Sequence, residues 1–214
     1  MTASSGLGGG ARAGGATGLK FWSDVTIPGR PRVLAIDACA DANGWEADSA
    51  SRVVSSLVRR NIPVVSGGPL AIAEPDQIAR ALGRNDEYNA ILLFARADPG
   101  AGHKPGVGQF WEALRSELQG REKLLAVCTW DSSDESTARE ILESPETFAH
   151  IAIAQQTPLT VRGAGLFFMK FFAEVDLHSE TTESMTGKMI WFGHSKAREI
   201  LRRRKYDGRV GLRC

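Results

Sequence analysis

The stretch Lys123-Leu-Leu-Ala-Val-Cys-Thr-Trp-Asp-Ser-Ser133 decides the fold class of this chain. Leu124 to Cys128 is an unbroken apolar run, and the polar loop Thr129 to Asp134 follows it at once. A strand covered on both faces reads this way, and such strands belong to parallel sheets between helices. Outward from it lie four runs of the same kind: Val33 to Ala38, Ile62 to Ser66, Ala90 to Ala95 and Ile151 to Ala154. Between them the apolar spacing changes from continuous to helical.

Six segments predict the helices. Ala50, Val53, Val54, Leu57 and Val58 form one stripe, and Val107, Phe110, Trp111, Leu114 and Leu118 form another. Pro75 suits a helix start ahead of Ile78, Ala79 and Leu82, and Ser133 or Asp134 suits the cap of a helix carrying Ala138, Ile141 and Leu142. Phe168, Phe171, Phe172 and Val175 make a strongly apolar face. A last helix, Glu183 to Lys205, turns Ile190, Ala197, Ile200 and Leu201 inward and a basic face outward. Strand-helix units joined by right-handed crossovers predict an α/β three-layer sandwich with a mainly parallel five-stranded sheet, whose functional edge is the carboxyl edge of the strands.

The composition agrees with that class. Of 214 residues, 43% are apolar and 24% charged, with a net charge of +1, which excludes collagen, coiled-coil and disordered classes. No apolar run approaches the ~20 residues of a membrane span. Cys39, Cys128 and Cys214 have no metal-ligand spacing and fit a reducing, cytoplasmic setting. Residues 1–30 read as a flexible Gly/Ala-rich tail, with an organelle-targeting segment as the alternative. Phe21, Trp22, Val25 and Ile27 in it are enough to dock without forming a regular element. Residues 31–205 form the α/β domain and residues 206–214 a basic tail.

Cys128 is the most specific candidate for chemistry, because a thiol closing the fourth strand stands at the mouth of the switch-point crevice, beside a helix start that would favour a thiolate. The plain alternative is a core cysteine. From Val33 to Arg204 the chain resembles the caspase-like (clan CD) cysteine peptidases, and among them the CHAT domains. The resemblance is carried by Leu124 to Cys128, Ile151-Ala-Ile-Ala-Gln-Gln-Thr-Pro158, Gly165-Leu-Phe-Phe-Met-Lys-Phe-Phe172 and Ser195-Lys-Ala-Arg-Glu-Ile-Leu201. It implies a caspase-like fold with Cys128 at the family's nucleophile position. The family's His-Gly after the third strand is missing here, where Ala97-Asp98 stand instead. His103, in the loop Gly100-Ala-Gly-His-Lys-Pro-Gly-Val-Gly108, is the remaining candidate base. The resemblance therefore implies a degenerate relative serving as an interaction or regulatory module. An active cysteine peptidase would use Cys128, His103 and backbone amides near Cys128 as oxyanion donors.

A flavodoxin-like or pseudoreceiver module without catalysis is the competing reading. Val33-Leu-Ala-Ile-Asp37 and Tyr88-Asn-Ala-Ile-Leu-Leu93 resemble response-regulator receivers, yet Phe94 stands at the phosphoacceptor position and the acidic pair is reduced to Asp37, with Asp41 and Asp98 as distant substitutes. Gly100 to Gly108 and Thr186-Gly-Lys188 match no phosphate-loop fingerprint. His150, His178 and His194 have no ligand spacing, so neither metal nor cofactor is expected. Gln155 and Gln156 close the fifth strand, where they line the crevice or satisfy backbone groups. From Lys196 to Cys214, eight basic residues stand against Glu199 and Asp207, a local charge of +6. This is either a solvated helix end or a grip for an anionic partner through Arg202, Arg203, Arg204 and Lys205. A protein partner and self-association are the expected interactions, and a membrane is not.

Overall fold

Strands β2 (Val33–Asp37), β4 (Ala90–Ala95), β5 (Leu124–Thr129) and β6 (Ile151–Gln155) form a parallel sheet in that order. The structure, a computed structural model, describes residues 25–39, 45–83, 87–95, 107–118, 123–129, 151–155, 160–206 and 210–213. The remaining elements are β1 (Thr26–Pro28), α1 (Trp45–Val58), β3 (Leu70–Ala71), a 3-10 turn (Pro75–Gln77) leading into α2 (Ile78–Gly83), α3 (Val107–Leu118), α4 (Val161–Ser179), β7 (Ser184–Thr186), α5 (Gly187–Arg203) and β8 (Val210–Arg213). The protein is mixed α/β, with helices on both faces of the sheet.

Alternation along each strand sorts the side chains into two cores. Val33, Ala35, Ala90, Leu92, Phe94, Leu124, Ala126 and Cys128 face α1, α4 and α5. Leu34, Ile36, Ile91, Leu93, Leu125 and Val127 face α2 and α3, where Ile78, Leu82, Phe110, Leu114 and Leu118 meet them. Each buried aliphatic side chain contributes about 1.5–3 kcal/mol, so either face left open would forfeit a large share of the stability.

The strands differ from the expected five at both edges of the sheet and in a separate two-stranded sheet, β1 with β7. Ile62 to Ser66 forms only a single bridge, Val64 to Val33. Pro63 has no N–H to give, and Gly67, at φ +71, turns the chain away with its N–H on the Val64 carbonyl. The chain returns as β3, which pairs with the carboxyl half of β2 at Ile36–Leu70 and Asp37–Ala71. The expected edge strand is thus divided into two short contacts. At the other edge, β8 adds to β6 in antiparallel sense, in residues read from sequence as tail. Before the expected start of the domain, β1 pairs with β7 antiparallel, with Val25 and Ile27 buried. Segment Glu183 to Lys205 accordingly divides into β7 and α5. The expected helix around Ala138, Ile141 and Leu142 lies outside the described residues.

α4 and α5 form an antiparallel hairpin. Thr160 accepts from the Gly163 N–H (3.0 Å) and Thr186 from the Met189 N–H (3.4 Å), so each helix begins on a threonine cap. Phe167, Phe168, Phe171 and Phe172 fill the core beneath them. The helices approach closely at Gly193, where an added Cβ would lie 2.9 Å from Val175 Cγ2 and 3.1 Å from the Phe171 carbonyl oxygen. Gly165 faces α1, with Ser56 Oγ 3.3 Å from the corresponding position.

The amino edge of the sheet is tied by one side chain. Asn89 Oδ1 accepts from the Arg32 N–H (2.8 Å), while Nδ2 donates to the Pro28 (2.7 Å) and Arg30 (2.8 Å) carbonyls.

Gly193→Ala is expected to lower the urea midpoint. Helix propensity gains about 1 kcal/mol from the change, but a methyl group driven against a backbone carbonyl costs about 1–3 kcal/mol. Gly165→Ala meets the Ser56 hydroxyl, which donates to the Arg52 carbonyl and need give by only a few tenths of an ångström, and is expected to change stability by less. A midpoint unchanged in Gly193→Ala would mean that the hairpin tolerates separation.

Candidate functional site

Chain order sets where the crevice falls. From β2 the chain winds outward to β3, then returns to β4 and continues through β5 and β6 in the other direction, so the switch point lies between the carboxyl ends of β2 and β4. Asp37 ends β2 there, opposite Phe94 in the register. Its Oδ1 accepts from the Cys39 N–H at 2.9 Å. Asp37 is only 5% exposed, and burial raises its carboxyl above the ordinary value against the pull of that backbone donor.

Cys128 pairs in register with Phe94, and β5 runs one residue further to Thr129. Cys128 is therefore the penultimate strand residue rather than the last. Its side chain belongs to the core beneath α1, α4 and α5, with an exposure of 0%. Burial, and secondarily the neighbouring Cys39 thiol, push its pKa well above the ordinary thiol value. This environment disfavours the thiolate that a nucleophile requires.

Other candidate residues scatter. His103, the stretch Ala97-Asp98, Asp41, His150 and Gln156 lie outside the described residues, as does most of the Gly100 to Gly108 loop. Phe94, at the receiver phosphoacceptor position, is fully buried. His178 lies exposed on α4 within 3.8 Å of Glu174, and its ring meets Phe192 edge-on. His194 is buried against Phe167. Thr186-Gly187-Lys188 is a helix start, with Thr186 as the cap. Among the described residues no cluster of three or more His, Cys, Asp or Glu could hold a metal, and no helix is long and apolar enough to cross a membrane.

The basic residues Arg202, Arg203, Arg204 and Lys205 close α5 and are exposed. Arg203 binds Glu199, and the two cations Arg203 and Lys196 hold the Glu199 carboxyl below its ordinary range.

Among the described residues, two of the grooves gather several cations that the sequence did not place together. One, of 1180 Å³, opens at the amino edge, where Arg30, Arg32 and Lys123 gather around Asn89. Its strongest cation is already held: Arg30 makes a two-pronged bond to Asp176 at 2.6 and 2.8 Å. The other, of 430 Å³, lies where the end of α1 meets α4 and the last turn of α5. It joins Arg60 to Arg203 and Arg204. The only trace of it in the sequence is two separate runs of cations, Arg59-Arg60 and Arg202 to Lys205.

No protein-family model and no curated protein matches the chain.

Asp37→Asn should stabilise the protein at neutral pH. A carboxyl raised by folding contributes stability while protonated and loses it as pH rises through its folded pKa, and the amide keeps an acceptor for Cys39 without the buried charge. The gain over wild type in urea denaturation should vanish below the ordinary carboxyl value of 3.8. A destabilised variant at neutral pH would show that the carboxylate is held by charge.

Proposed function

We propose that this chain is a degenerate caspase-like or CHAT-like module that works through interaction or regulation rather than peptide hydrolysis. The observation that carries the reading is the state of Cys128, enclosed in the core at 0% exposure with its thiol pKa raised. A cysteine peptidase needs an accessible thiolate with a base in reach, and at the family's histidine position the chain has Ala97-Asp98. Apolar packing around Cys128 is the ordinary environment of an inert thiol.

A second reading, a flavodoxin-like or pseudoreceiver binding module, is favoured by the order β3-β2-β4-β5-β6, which is the doubly wound order with its first strand one place from the edge. Asp37 at the end of β2 supports it as well. β8, antiparallel at the far edge, goes beyond that plain order. Both readings take the function from a surface and treat Cys128 as core.

Iodoacetamide labelling followed by peptide mass spectrometry tests this. Cys128 in the folded chain should remain unmodified at about the ordinary thiol pKa of 8.5 and label fully in urea. Rapid labelling of folded protein below that pH would restore Cys128 as a nucleophile and sink the proposal.

A further inference from the structure

The 430 Å³ groove between α1, α4 and α5 has an apolar floor of Leu166, Met169, Ala173 and Ile200 beneath a rim of four cations: Arg60, Lys170, Arg203 and Arg204. Among the described residues no carboxylate lines it. Lys170 is held by Glu174, one turn along α4, and Arg203 by Glu199, one turn back on α5. Arg60 and Arg204 have no ion-pair partner among the described residues. The last turns of α1 and α5 both end here, and cations there complement the helix dipoles. That accounts for basic residues at this end but not for the half-buried apolar floor left partly open between them.

We propose that this groove is the docking site for an acidic segment of a partner protein, one apolar side chain entering between α4 and α5 while flanking carboxylates meet Arg60 and Arg204. The proposal rests on the reading of the chain as an interaction module and adds the place and chemistry of the contact. Charge complementarity selects an anionic occupant. The floor selects among anions: a nucleic-acid backbone would use the rim and leave the open part of four half-buried apolar residues unused. A bilayer surface would favour protruding apolar side chains over recessed ones. An apolar anchor in a pocket ringed by charge is the arrangement by which short protein segments are held.

Fluorescence anisotropy of the intact chain with a short fluorescein-labelled peptide of Glu interrupted by Leu tests the proposal. Saturable binding is expected, weakened at least about tenfold by Arg60→Glu with Arg204→Glu. Both arginines are exposed, so the variant should fold as wild type. Arg80→Glu with Lys188→Glu changes the net charge equally at exposed sites outside the groove and should leave binding nearly intact. Replacing Leu by Ser in the peptide should abolish saturable binding. The proposal falls if the Glu/Leu peptide does not bind, if the Glu/Ser peptide binds as well, or if both charge-reversed pairs lose binding equally. It also falls if random-sequence duplex DNA binds more tightly and depends on the same two arginines. None of these outcomes bears on thiol labelling, so failure here leaves the status of Cys128 to its own experiment.

Discussion

Parallel strands hydrogen-bond only to one another along their length, and in this chain their side chains are apolar on both sides. The sheet therefore requires cover above and below, and most of the remaining architecture answers that need. α2 and α3 close one face, while α1 and the α4–α5 hairpin close the other. The second cover is the thicker one. It has an inner shell of phenylalanines and a close helix approach at Gly193, so α4 and α5 act as one slab rather than as two separate elements.

That requirement bears on Cys128. Period-two alternation puts it on the same side as Leu124 and Ala126, under the thick cover, so a thiol one residue short of the strand's end is drawn into the core by the packing of the residues before it. Asp37 meets the opposite circumstance. It ends its strand at the switch point, buried yet still polar, and the backbone of Cys39 supplies its bond. Of the two side chains nearest the crevice, the carboxyl keeps a polar partner at the strand end and the thiol is packed among apolar groups.

How much was legible follows from the same physics. β4 begins and ends where the apolar run Ala90 to Ala95 does, because a fully buried strand needs apolar residues throughout. β3 was illegible: two residues at an edge carry no period, and the turn at Gly67 displaced the pairing from Val64 to Leu70. β1, β7 and β8 are short and mixed in polarity, and each depends on a partner distant in sequence, which no local window contains. A core Cys128 was one of the two readings open from the sequence, but a continuous apolar run does not reveal which alternate residues lie under which helices. The cationic groove draws on three elements, so its members become neighbours only once α1, α4 and α5 have packed.

The clasp between β1 and β7 also orders events in time. Thr26 pairs with Thr186, and Ile27 with Met185, so one strand is synthesised long before the other. A ribosome adds about 5–20 residues per second, and during that interval β1 lacks the strand it pairs with. The α4–α5 hairpin, by contrast, closes over a short loop and can form as soon as it emerges. The molecule is thus completed by a late, long-range docking of its early segment, a step of high sequence separation that slows folding. The burial of Val25 and Ile27 is thus settled only after α4 has been made, although both lie near the start of the described structure.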